Sequence, residues 1–61
     1  MTYQDAVEAL NTGLEVRRIA WPKGEYVVDQ DGAWILVTAS GFFDWQPTDE
    51  DRAATDWAVR L

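Results

Sequence analysis

Cysteine and histidine are both absent from this chain of 61 residues, and serine occurs once, at Ser40. No disulfide can form, and a soft-ligand zinc site has no donors from which to be built. Nucleophilic catalysis also lacks its usual parts, because Ser40 has no histidine to act as its base and there is no thiol. Positive charge is scarce: five Lys and Arg stand against 11 Asp and Glu, a net charge of −6. That balance argues against sequence-independent binding of duplex DNA or RNA, whose affinity comes mostly from cations on phosphates. Its plain reading is solubility. Long apolar runs are missing too. No stretch reaches transmembrane length, and Met1-Thr2-Tyr3-Gln4-Asp5 is not a basic, hydrophobic leader, so the expected setting is soluble and cytoplasmic, with no membrane partner.

Tryptophan, by contrast, is abundant, with Trp21, Trp34, Trp45 and Trp57 in one short chain. Each indole brings a large apolar ring and an N–H that needs a partner when buried. A single domain over residues 1–61 buries roughly 60% of its unfolded surface and is marginal alone. Some rings are therefore expected at a surface, stacked on a ligand or closing a subunit contact. With disulfides excluded and no metal or cofactor implied, self-association is the remaining support, and a homo-oligomer is expected.

The pattern of the chain predicts an α+β fold, with an N-terminal helix packed on a small antiparallel sheet of about five strands. Thr2 caps the helix, with Asp5 three residues on, and Tyr3, Ala6, Val7 and Leu10 form its apolar stripe before Gly13 ends it. Strands are expected over Leu14 to Ala20, Glu25 to Gln30, Ala33 to Thr38 and Phe42 to Gln46. Between the second and third, Asp31-Gly32 is a two-residue hairpin signal. Pro47 stops the fourth strand, and Thr48 caps a short helical turn carrying Asp49, Glu50 and Asp51. The last strand, Asp56 to Leu61, places Trp57, Val59 and Leu61 on one face and Ala58 and Arg60 on the other.

Gly24, Gly32 and Gly41 lie in separate turns and make no phosphate-cradling loop. Asp49-Glu50-Asp51 has the composition of a hard-cation site, but acids in the first turn of a helix are already accounted for by the dipole. Binding is better supported. Trp21 stands beside Arg17, Arg18 and Lys23, and an indole face next to cations suits a nucleobase with an attached phosphate. The alternative is that Trp21 is core and the arginines are solvated. Trp45, just before Pro47 and the Thr48 cap, is a second candidate, since free N–H groups of a helix start attract anions. Trp57 reads as core, and Trp34 as core or subunit contact.

The order of these pieces resembles a known family. Tyr3-Gln4-Asp5-Ala6-Val7-Glu8-Ala9-Leu10, then Gly13, then Val16-Arg17-Arg18 and Trp21 are similar to the opening of the Thoeris anti-defence 2 family of small phage proteins. Trp45-Gln46-Pro47-Thr48 through Asp51, and Asp56-Trp57-Ala58-Val59, resemble its close. The resemblance implies a non-enzymatic sponge, working in the infected bacterial cell. Such a protein binds a cyclic ADP-ribose-type signal, or a cyclic oligonucleotide of CBASS defence, without cleaving it. It also implies a homotetramer with pockets between subunits. By motif, Trp21 and Trp45 line the nucleotide pocket, joined on the stacking argument by Arg17, Arg18 and Lys23, and on the helix-start argument by Thr48 as an anion contact. Two departures stand out: the connection at Asp31-Gly32 is short, and Asp49 and Glu50 make the segment after Pro47 more acidic than is usual. A small acidic phage protein that inhibits a host protein partner is the alternative. A metal-dependent nucleotide-degrading enzyme built on Asp49 to Asp51 is a third reading.

Overall fold

The computed structural model describes residues 1–60. It begins with helix α1 (Tyr3–Asn11), whose start is locked by a reciprocal capping box. The Thr2 hydroxyl accepts the Asp5 N–H at 3.2 Å, and the Asp5 carboxylate accepts the Thr2 N–H at 3.1 Å. Its end is a Schellman closure: the Leu14 N–H donates to the Ala9 carbonyl and the Gly13 N–H to that of Leu10, both at 3.0 Å. That closure needs the left-handed backbone that Gly13 adopts at φ +88°. Ala6 and Leu10 are buried, and Tyr3 and Ala9 pack against the core, so the buried stripe runs through Ala9, with Val7 half-buried.

Five strands follow: β1 (Val16–Arg18), β2 (Tyr26–Gln30), β3 (Ala33–Thr38), β4 (Gly41–Asp44) and β5 (Trp57–Val59). Between β4 and β5 lies helix α2 (Asp49–Ala53). All pairings are antiparallel, and the spatial order is β4-β3-β2-β1-β5. The expected fold class is therefore the observed one, but several elements are shorter than their patterns suggest. Past β1 the ladder makes one further bond, from the Ile19 N–H to the Asp56 carbonyl at 3.0 Å, and then ends because the Ala20 N–H turns to the Asp56 carboxylate and the Trp21 N–H to the Arg18 carbonyl, each at 3.0 Å. Strand β4 stops at Asp44, although the Trp45 N–H still reaches the Trp34 carbonyl at 3.0 Å. Leu61, the expected end of the last strand, lies outside the described residues.

The hairpin at Asp31-Gly32 has positive φ at both residues, +54° and +88°, as a type I′ turn requires. The Asp29 carboxylate secures it by accepting the Gly32 N–H at 2.9 Å. Register then decides the faces. Val16 pairs with both Val27 and Val59, and Val27 pairs with Leu36, so these residues share the face on which α1 lies. Helix α1 touches β5, β1, β2 and α2, whereas β3 and β4 meet no helix.

The core consists of Ala6, Leu10, Val16, Val27, Trp45 and Trp57, with Trp21 and Trp34 packed against it. All four indoles form one cluster. Trp57 meets Trp21 at 5.3 Å and Trp45 at 5.8 Å between ring centroids, both nearly perpendicular, and Trp45 meets Trp34 at 5.6 Å. Edge-to-face contacts of this kind add about 0.5–1.5 kcal/mol each beyond area burial. Truncating a buried Trp costs roughly 3–5 kcal/mol, comparable to the whole stability of a small domain. Trp57→Ala and Trp45→Ala should therefore both abolish cooperative thermal unfolding in circular dichroism. Retention of a sharp transition within a few degrees of the parent would show that the cluster is not the stabilising unit.

Candidate ligand-binding surfaces

Because β1 ends at Arg18, Trp21 belongs to the turn that follows, tied back by its N–H to the Arg18 carbonyl at 3.0 Å. Its ring is half-buried, edge-on to Trp45 at 6.3 Å and to Trp57. Trp45 is 9% exposed and lies inside the cluster. Arg17 pairs in register with Ala58, on the opposite face of the strand from buried Val16. One terminal nitrogen of its guanidinium donates to the Trp21 carbonyl at 2.9 Å, and its buried Nε has no partner among the described residues. An unmet buried N–H costs roughly 1–3 kcal/mol. The contact between Arg17 and Trp21 thus runs through the backbone.

Arg18 has a different environment. It sits opposite Trp57 with its side chain 12% exposed, and its Nε donates to the Asp56 carboxylate at 2.8 Å. A terminal nitrogen reaches the Asp51 carboxylate at 3.2 Å. The Asp56 carboxylate raises the Arg18 pKa further above its ordinary value, burial opposes this, and Asp51 adds to the rise. Reciprocally, the Arg18 guanidinium holds the Asp56 carboxyl below the usual range. Burial pushes the other way, and the Ala20 N–H assists the lowering. Thr48 is engaged as well: its hydroxyl accepts the Asp51 N–H at 3.1 Å, and the Asp51 carboxylate accepts the Thr48 N–H at 3.0 Å. Asp51 therefore serves the cap and Arg18 together, while its carbonyl accepts the Trp57 indole N–H at 3.0 Å. Among the described residues, no group of three acidic side chains is gathered as a metal site would need.

The other cations converge elsewhere. An open cleft of about 400 Å3 is lined by Arg17, Lys23, Gly24, Ala58, Val59 and Arg60. Arg60 pairs with Glu15 at 2.7 Å and lies 4.2 Å over the Tyr26 ring. Among the described residues, Arg17 and Lys23 have no carboxylate within 4.0 Å. The structure thus brings together Arg17 and Lys23, adds Arg60, and leaves Arg18 and Thr48 on the α2 side with the indoles. Arg60 had one visible signal, its alternation with Ala58, but its neighbours depend on β1 pairing with β5 across most of the chain.

A short helix-backed α+β sheet carrying a tryptophan cluster and a small cationic cleft is the class these observations define. A family model described as a Thoeris anti-defense 2-like domain matches residues 1–60, and the chain belongs to that family. Comparison with curated proteins gives no match. Membership implies a role in Thoeris anti-defence, supports a phage origin, fits a non-enzymatic role and suggests an immune signal molecule as the bound partner. No described helix is long and apolar enough to cross a membrane.

An aspartate whose folded pKa lies below its unfolded value of about 3.9 contributes stability above that value. The contribution is lost as pH falls through the folded pKa. Asp56→Asn should therefore be less stable than the parent at pH 7, with the gap narrowing below about pH 4. Urea unfolding across that range measures it, and a gap independent of pH would refute the role given to the pair.

Proposed function

We propose that this protein is a phage sponge that binds a cyclic nucleotide immune signal in the host cytoplasm and holds it without cleavage. The signal is of the cyclic ADP-ribose type, with CBASS cyclic oligonucleotides as a further class. The observation that carries the reading is Arg17 and Lys23, two cations with no carboxylate partner among the described residues, Arg17 being joined through the Trp21 carbonyl to the turn that carries half-buried Trp21, in a chain of net charge −6. In this reading Trp21 stacks on the base while Arg17 and Lys23 pair with phosphate oxygens. Trp45 backs the Trp21 ring, and Arg18 and Thr48 hold the wall behind it through Asp51. Sequestration needs affinity, copy number and slow release, and release rate is where affinity is mostly set.

Incubation with the signal, followed by heat denaturation, should return the small molecule intact. A new product would mean an enzyme, and no depletion would favour a protein partner instead. Stacking is worth roughly 1–3 kcal/mol per base, so Trp21→Ala should weaken capture about tenfold to a hundredfold. Equal capture by that variant, folded by circular dichroism, would remove Trp21 from the site.

Self-association, which a homotetramer with pockets between subunits requires, is supported by the sheet itself. Phe42 is 77% and Phe43 50% exposed on β4, an edge strand that no helix covers. Val28, Ile35 and Val37 extend an apolar surface alongside Phe42, on the face away from α1. Light scattering should return a multiple of 6.9 kDa, and Phe42→Asp should shift it towards the monomer. A monomeric parent would overturn both the assembly and pockets shared between subunits.

A further inference from the structure

We infer that Asp56 is the residue that positions the Trp21 ring for its ligand, although the two stand far apart in sequence. That Trp21 meets a ligand rests on the sequestration reading; the placement of its ring does not. Asp56 bonds to three residues in a row just before Trp21. One carboxylate oxygen accepts the Arg18 Nε–H at 2.8 Å, and the other accepts the Ala20 N–H at 3.0 Å. Between them the Ile19 N–H donates to the Asp56 carbonyl, also at 3.0 Å. The Trp21 N–H then folds back on the Arg18 carbonyl at 3.0 Å and closes a turn over Ile19 and Ala20. Side-chain packing does little for this turn, because Ile19 is 65% exposed and Ala20 is exposed too. Its shape is set by the bonds to Asp56, two of which go to a charged acceptor and are roughly twice as strong as neutral ones. Trp57 follows Asp56 directly, and its indole stands edge-on to that of Trp21 at 5.3 Å. Asp56 therefore fixes both the backbone that carries Trp21 and the start of the strand whose ring Trp21 rests against. A ring already held in one orientation loses less freedom when it stacks. Loosening the turn until that orientation is occupied about a tenth of the time weakens capture about tenfold.

Fluorine NMR of the protein labelled with fluorotryptophan reads the ring directly, with the Trp21 line assigned by Trp21→Phe. Asp56→Asn loses the charge and one of the two acceptor oxygens. In that variant the Trp21 line should shift or broaden while the Trp34 line stays, since Trp34 meets Trp45 and not Trp21. Capture of cyclic ADP-ribose, measured by equilibrium dialysis, should weaken about tenfold. Asp56→Glu keeps the charge beside Arg18 but carries its oxygens one carbon further. It should displace the Trp21 line as well, and it serves as the test should the Asn variant fail to fold. A purely structural Asp56 would lower the unfolding midpoint and leave the Trp21 line of the folded protein in place. That result overturns the inference, as does weaker capture with an unmoved line. Unchanged capture by a folded variant whose line has moved overturns it too. A moved line with no capture even by the parent keeps Asp56 as the positioning residue of the ring and removes sequestration.

Discussion

The Trp57 indole must be buried with its N–H satisfied, and the placement of much else follows from that one requirement. Its ring is 2% exposed and touches Tyr3, Trp21 and Trp45. A buried N–H needs an acceptor, and the Asp51 carbonyl supplies it. That carbonyl is available because α2 is present, and a helix of five residues has too few internal bonds to persist by itself. The Thr48 capping box and the Arg18–Asp51 pair hold it in place. Strand, short helix and indole cluster are thus parts of one arrangement.

Two adjacent arginines show how strand alternation divides structure from surface chemistry. Arg18 shares the buried face with Trp57 and is neutralised by Asp51 and Asp56, as burial demands of a cation. Arg17, one residue earlier, emerges on the other face beside Ala58 and, among the described residues, has no such partner. A single step along the strand therefore separates a group that holds the fold together from one free to meet an anion. The proposed ligand contacts lie where the fold has not used its charges.

Coverage of the sheet is uneven for a simple reason of size. A helix of nine residues spans β2, β1 and β5, and among the described residues no helix covers β3 and β4. The outer edge of β5 is closed by the first residue: the Met1 carbonyl accepts the Trp57 N–H at 3.2 Å, and the Met1 ammonium donates to the Trp57 carbonyl at 2.9 Å. Among the described residues the edge at β4 has no equivalent, and it carries exposed Phe42 and Phe43. Exposed aromatic surface thus lies on the half of the sheet that no described helix covers.

Local chemistry was legible in the residues themselves. Thr2 with Asp5, Gly13, Asp31-Gly32 and Thr48 with its acids specify caps and a turn through interactions only a few residues long, and each appears where its pattern places it. Element ends were less legible, since β1 is cut short by Asp56, far along the chain. The gathering of four indoles, the neutralisation of Arg18 and the meeting of Arg17 with Arg60 could not be read along the chain. Each depends on β5 pairing with β1, a contact made across some 40 residues. Sequence alone determines what neighbours within a turn can do for one another. Only the tertiary structure decides which distant charges meet and which remain free, because that choice rests on strand register and burial.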